Sequence, residues 1–101
     1  MGISFADRVT TSPDVMFRTV GDEAVLLNLK TELYMGLDPV GTRMWDLLTK
    51  SASIDEAFDA LLTEYEVEAD RLRTDLEKFI DRLIEKELIE VSPSGGRVLS
   101  E

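Results

Sequence analysis

The fold of this chain turns on a change from strand to helix within residues 33–45, which read Leu33-Tyr34-Met35-Gly36-Leu37-Asp38-Pro39-Val40-Gly41-Thr42-Arg43-Met44-Trp45. The apolar residues Leu33, Met35 and Leu37 alternate along the first part and so share one face of a strand. Asp38 and Pro39 then favour a helix start. Asp accepts hydrogen bonds from the first helical amides, and proline at the first position needs no donor. The pattern predicts a strand followed directly by a helix.

Two further strands are predicted before this one, at residues 15–20 and 23–29. Both carry β-branched and aromatic side chains, which favour strands. Gly21 and Asp22 between them form a tight reversal of the kind that needs positive φ, so the two strands make a hairpin. Because connections this short favour antiparallel pairing, the region up to Leu37 is expected to form a small three-stranded antiparallel sheet.

Three helices are predicted after the sheet. The first runs from Pro39 to about Lys50, with Trp45 on its core-facing side. The second starts at a capping box in which Ser53 accepts from an early helix amide and Glu56 reaches back to the Ser53 amide. The third, about residues 69–86, carries a narrow apolar stripe that includes Phe79.

This order predicts an α+β, winged-helix-like fold with a small antiparallel three-stranded sheet followed by three helices. Residues 88–91 can add a short terminal strand. The expected organisation is an N-terminal segment over 1–14, one domain over 15–91 and a flexible C-terminal tail over 92–101.

The composition excludes most enzyme chemistry. Cysteine and histidine are absent, which removes disulfides, thiolate and imidazole metal ligands and the commonest general base. The carboxylate pairs at helical spacing lie on outward faces without the desolvation that acid–base catalysis needs. We therefore expect no catalytic residue, no metal and no cofactor. No apolar run approaches the roughly 20 residues of a membrane span, and the first residues do not resemble a secretory signal, so a cytoplasmic protein is expected.

The 11 basic and 21 acidic side chains give a net charge of −10, which opposes binding to nucleic acid and to anionic lipid. A winged-helix DNA-binding regulator remains an alternative function, because some of these proteins share this order of elements. Residues 55–70 hold seven acids and no base. This run is either a solvated helix face or a docking patch for a basic partner, with Asp55, Glu56 and Asp59 as its candidate residues.

The strand ending at Leu37 is the most informative candidate for a binding surface. At the edge of a sheet, its free backbone groups would be a template for another strand. Glu32 is the only charged residue close to it before Asp38. The residues leave two interpretations open. The strand is either an ordinary sheet strand or dimer edge, in a monomer or weak dimer, or it is a peptide site.

Residues 24–48 resemble the PqqD-like family of small peptide chaperones, also called precursor-peptide recognition elements. The similarity rests on Leu33-Tyr34-Met35-Gly36-Leu37 followed by Asp38-Pro39-Val40-Gly41-Thr42-Arg43-Met44-Trp45, and it extends over about residues 15–91. It implies a winged-helix-like fold without catalysis or cofactor. It also implies a protein that binds the leader segment of a ribosomally made precursor peptide and hands it to a modifying enzyme or protease. The residues of these motifs are most similar to those of stand-alone proteins of lasso-peptide pathways, with the chaperone of pyrroloquinoline quinone biosynthesis as an alternative.

The resemblance further implies a binding site, since in the family the leader adds as a strand to the third sheet strand and packs towards the third helix. On this chain, the corresponding residues are Thr31, Glu32, Leu33, Tyr34, Met35, Gly36, Leu37, Arg71, Asp75, Lys78, Phe79 and Arg82. One departure concerns the end of the third helix. Many relatives have glycine before the apolar pair Leu88-Ile89, and this chain has Glu87 there.

Overall fold

Strands and helices follow one another in a computed structural model that describes residues 3–93. The elements are β1 (Asp7–Thr11), β2 (Val15–Val20), β3 (Glu23–Asn28), β4 (Tyr34–Leu37), α1 (Pro39–Lys50), α2 (Ile54–Glu64), α3 (Ala69–Glu85) and β5 (Ile89–Pro93). The predicted α+β class, a three-stranded antiparallel sheet followed by three helices, is confirmed. Most of the expected C-terminal tail, from residue 94 on, lies outside the described residues.

The three-stranded sheet has the order β2-β3-β4, and both pairings are antiparallel. Gly21 in the β2–β3 turn has φ +66°, as its position in a tight reversal requires. One face of the sheet is buried against the helices and presents Ala24, Leu26, Met35 and Leu37 to the core. Alternation along β4 therefore places Tyr34 on the outer face, where it is 66% exposed.

A second sheet, formed by β1 and β5, joins the two ends of the described chain. The strands pair antiparallel with Val9 opposite Val91. The sequence does not predict strand β1, which lies within the N-terminal segment 1–14. Its sequence, Asp7-Arg8-Val9-Thr10-Thr11, has a single apolar residue, and its partner is distant in sequence, so neither periodicity nor a turn announces it. Strand β5 was expected to end at residue 91 and extends to Pro93.

The helix starts follow the predicted capping chemistry, with one correction. Asp38 Oδ1 accepts from Gly41 N at 2.7 Å, and Ser53 Oγ accepts from Glu56 N at 3.3 Å. The Glu56 carboxylate, however, accepts from the amide of Ala52 at 3.0 Å and not from that of Ser53. Glu56 thus pairs with the amide one residue before the expected one, and α2 begins where the capping box predicts.

The core lies between the inner sheet face and the three helices. Trp45 of α1 is buried, as predicted, and its ring stacks on Phe17 of β2 at a centroid distance of 6.1 Å. Helix α3 buries the whole predicted stripe, which comprises Leu72, Leu76, Phe79, Ile80 and Leu83. None of the helices within residues 3–93 is both long enough and apolar enough to span a bilayer.

Candidate functional site

The three-stranded sheet has two edge strands, β2 and β4, and the hydrogen-bonding direction of β4 follows from one contact. Asn28 N donates to Leu33 O at 2.9 Å, at the register position next to Leu27↔Tyr34. Antiparallel ladders alternate, so Met35 and Leu37 also direct their backbone groups to β3. The amides and carbonyls of Tyr34 and Gly36 therefore point away from the sheet. Within the described residues no strand lies beyond them.

The turn before β4 is held by Asn28, whose side chain is buried. Its Oδ1 accepts from the amides of Lys30 and Thr31 at 2.9 and 3.1 Å, and its Nδ2 donates to Glu87 O at 2.7 Å. Because Glu87 follows α3, this side chain ties the start of the edge strand to the end of that helix. A buried amide whose oxygen and nitrogen both have partners fixes the position of β4 relative to α3.

A groove with a volume of about 450 Å³ runs between β4 and α3 and is closed at one end by the start of α1. Its lining residues are Met35, Gly36, Leu37, Asp38, Val40, Gly41, Met44, Asp75, Lys78, Phe79 and Arg82. The size lies within the range of small-ligand sites. Gly41 lies where α1 meets α3: a Cβ there would be in ordinary contact with Phe79 Cε1, at 3.5 Å, and in tighter contact with Asp38 Oδ1, at 3.2 Å.

A second groove, of about 350 Å³, follows the first along β4. It shares Met35, Gly36 and Arg82 with the first groove and adds Glu32, Leu33, Tyr34 and Lys86. The two grooves together form a furrow beside the free strand edge, which we call the edge furrow. At the Leu37 end it is lined mainly by apolar side chains of β4, α1 and α3, with Asp38, Asp75 and Lys78 among them. At the other end Glu32, Arg82 and Lys86 lie beside Leu33 and Tyr34.

The edge furrow brings together most of the residues that the sequence singled out. The residues that the resemblance implies for peptide binding all line one of the two grooves except Thr31 and Arg71. The docking candidates Asp55, Glu56 and Asp59 lie outside both grooves. The Thr31 hydroxyl accepts from Leu33 N at 3.2 Å within the turn, and Thr31 lines a separate hollow beside Ser12. Arg71 lies one helical turn before Asp75, and the two side chains approach to 3.9 Å.

Five lining residues were not predicted, namely Asp38, Val40, Gly41, Met44 and Lys86. Val40 and Met44 lie four residues apart on α1, a spacing that is typical of the core-facing side of a helix. Met44 is indeed buried, whereas Val40 is 44% exposed. The signal that could have identified Val40 is its position directly after Asp38-Pro39, where the helix start borders the end of the edge strand.

Electrostatic perturbation is concentrated away from the edge furrow. Arg43 on α1 donates through Nε to Glu64 Oε1 at 2.9 Å, at the end of α2. These hydrogen bonds lower the pKa of the Glu64 carboxyl below its ordinary value and raise the pKa of the Arg43 guanidinium. Residues 3–93 contain no cluster of three or more acidic side chains arranged to hold a metal ion. The furrow thus offers backbone groups, apolar surface and charge.

Known proteins share this architecture. A family model described as coenzyme PQQ synthesis protein D (PqqD) matches residues 23–89, a range that includes every residue lining the edge furrow. The solved structure of TbiB1 in complex with the TbiA(beta) leader peptide is 38% identical, with a TM-score of 0.72. The match covers 88% of this chain and 99% of that one. No curated protein matches the chain significantly. The chain belongs to the PqqD family.

Proposed function

We propose that this protein binds the leader segment of a ribosomally synthesised precursor peptide and delivers it to a modifying enzyme or protease. One observation carries the proposal: the outward backbone groups of Tyr34 and Gly36 border a furrow that is apolar at one end. TbiB1, with which the chain shares 38% identity, is itself in complex with a leader peptide.

The binding mode we infer is strand addition to β4. Main-chain hydrogen bonds to Tyr34 and Gly36 would supply affinity that is independent of peptide sequence. Alternate peptide side chains would point towards α3 and enter the edge furrow, where Phe79 and Met35 offer apolar contact. Such a site selects a peptide by shape and charge and needs no reacting group, so the protein acts as a binding partner rather than a catalyst.

We assign the leader to a lasso-type maturation pathway rather than to pyrroloquinoline quinone biosynthesis. The support is the residues of two motifs at the edge furrow, which resemble those of lasso-peptide proteins. The motifs are Thr31-Glu32-Leu33-Tyr34 and Pro39-Val40-Gly41 followed by Trp45. Thr31 accepts a hydrogen bond in the turn before β4, and Gly41 lies where α1 meets Phe79, so both motifs shape the site.

Proline substitution tests strand addition, because it removes a backbone donor. Tyr34→Pro would delete an outward amide at the first residue of β4, where proline is best tolerated. We expect its melting temperature to stay close to that of Tyr34→Ala, while its affinity for leader peptides falls about tenfold. Calorimetric titration with the TbiA(beta) leader, and with peptides selected by display, measures the affinity.

Met35→Pro is the matched disruption of the inner ladder. It removes an amide directed at β3, so it should unfold the sheet and not merely weaken binding. If Tyr34→Pro is stable and binds leader peptides as well as Tyr34→Ala does, the peptide is not held as a strand on β4.

Delivery requires a second surface, and we propose the acidic face of α2 for contact with the downstream enzyme. Asp55, Glu56 and Asp59 are exposed, and α2 contributes no residue to the edge furrow, so this face stays open while peptide is bound. Asp55→Asn with Asp59→Asn should leave leader affinity unchanged and slow association with the enzyme at low salt. Glu56 is left in place because it caps α2. Unchanged association kinetics would identify the face as ordinary solvated surface.

A further inference from the structure

Three cations follow one another along α3 and its C-terminal cap, on the side that faces β4. Lys78, Arg82 and Lys86 are spaced four residues apart, and each lines the edge furrow. None of them takes part in an ion pair within residues 3–93. In a chain with a net charge of −10, unpaired cations beside a free strand edge stand out from their surroundings.

The spacing of these cations matches that of a strand. Four helical residues rise about 6 Å, and alternate residues of a strand are about 6.8 Å apart. A peptide strand on β4 would therefore direct every second side chain to the level of the next cation. The match holds over the two intervals between Lys78 and Lys86.

The direction of the chain elements gives the site a polarity. Lys78 lies in the groove at the Leu37 end of β4, and Lys86 lies in the groove that includes Glu32. Helix α3 thus runs opposite to β4. A peptide that pairs antiparallel with β4 runs in the same direction as α3, and it passes Lys78 first and Lys86 last.

Charge and apolar surface are divided along this path. At the Leu37 end, the carboxylates of Asp38 and Asp75 accompany Lys78, and the apolar lining of Val40 and Phe79 lies beside them. At the other end, Arg82 and Lys86 are accompanied by one carboxylate, Glu32. The excess of positive charge therefore lies at the end where the peptide would leave the furrow.

We propose that the bound peptide carries an apolar side chain at the level of Lys78, where it contacts Phe79, and, two and four residues further towards its C-terminus, carboxylates facing Arg82 and Lys86. This inference rests on the strand addition proposed above and specifies the class of peptide that the site prefers. It is an acidic segment preceded by an apolar anchor. Because the carboxylates would meet cations without a partner in the protein, no existing ion pair has to break on binding.

A display library of random short peptides tests the preference without knowledge of the natural precursor. Peptides selected on the wild-type protein should be enriched in Asp or Glu at the second and fourth positions after an apolar residue. The variant Arg82→Glu with Lys86→Glu should bind those peptides at least about tenfold more weakly and select Lys or Arg at the same positions. Arg8→Glu with Lys30→Glu changes the net charge equally at exposed positions outside the edge furrow, and it should behave as wild type.

The outcomes separate this inference from the proposed function. If the selected peptides lose affinity with Tyr34→Pro but show no acidic preference, or if Arg82→Glu with Lys86→Glu binds them normally, strand addition stands and the acidic-peptide inference is wrong. If no peptide binds, or if Tyr34→Pro leaves peptide affinity unchanged, the proposed function is wrong and so is the inference that rests on it.

Discussion

A single residue, Glu87, closes α3 in a conformation that suits glycine. Its amide donates to Ile84 O at 3.0 Å and the next amide, of Leu88, donates to Leu83 O at 2.9 Å, which is the Schellman arrangement. Glu87 has φ +57°, in the left-handed region. The helix therefore ends as a glycine-capped helix would, with a strained non-glycine residue.

Replacing Glu87 by glycine should therefore stabilise the protein. Glycine relieves the strain of the left-handed conformation, although its greater freedom in the unfolded chain offsets part of the gain. We expect the free energy of unfolding to rise by about 0.5–1 kcal/mol. Urea denaturation measures the gain, and Glu87→Ala, which keeps the Cβ, should show little of it. Peptide affinity should not change, because Asn28 contacts the backbone carbonyl of Glu87 and not its side chain. A less stable glycine variant would contradict this account.

At the scale of elements, α1 and α2 are tied by Arg43. The guanidinium donates to Asp46 Oδ2 at 2.9 Å on its own helix and to the Glu64 carboxylate at the end of α2. About 40% of the Arg43 side chain and 35% of that of Glu64 are exposed, so solvent screens the pair and its contribution is small. The pair orients two helices that already pack through apolar side chains.

The Glu64 carboxyl makes the stability of this helix pair depend on pH. Its pKa in the folded protein lies below the ordinary value of 4.5, so the stabilisation is complete above that value and is lost as pH falls through the lowered pKa. Glu64→Gln should thus melt below wild type at about pH 7, and the difference should vanish in strong acid. Glu66→Gln, a neighbouring exposed carboxylate, is the control. A difference that persists at low pH would assign the effect to packing.

At the scale of the whole molecule, the N-terminal part of the described residues is built into the core. Phe5 and Val9 are buried, and the Phe5 ring meets Phe58 edge-on at 5.6 Å and lies 4.0 Å from the guanidinium carbon of Arg73. Asp55 N also donates to Phe5 O at 2.8 Å. The segment before β2 thus covers α2 and α3 and is a structural part of the fold.

Phe5→Ala tests that role against the same substitution at Phe17. Truncation of the buried Phe5 should lower the free energy of unfolding by about 3–5 kcal/mol, a large part of the stability of a domain of this size. Phe17 is 42% exposed, and although it stacks on Trp45, Phe17→Ala should cost clearly less. Denaturant unfolding of both variants measures the contrast. Equal losses would mean that the N-terminal segment is not packed as described.

Residues close together in sequence determined much of this protein. Asp38 and Pro39 start α1, Gly21 reverses the chain, and the alternation of Met35 and Leu37 sets the inner face of β4, because each depends on neighbours within one turn or one strand. The composition and the net charge could also be read from the sequence, because neither depends on the fold.

Only the tertiary structure decided how these elements meet. Strand β1 forms because β5 pairs with it, and a partner some 80 residues away leaves no local pattern. The outward direction of the Tyr34 and Gly36 backbone depends on the register with β3. Val40 and Met44 join the edge furrow because α1 and α3 converge where Gly41 meets Phe79. Lys86 joins it because Asn28 ties the end of α3 to the start of β4. Side chains of β4, α1 and α3 form one surface only because these elements pack together. The spacing of residues along the chain does not determine the distances between packed elements.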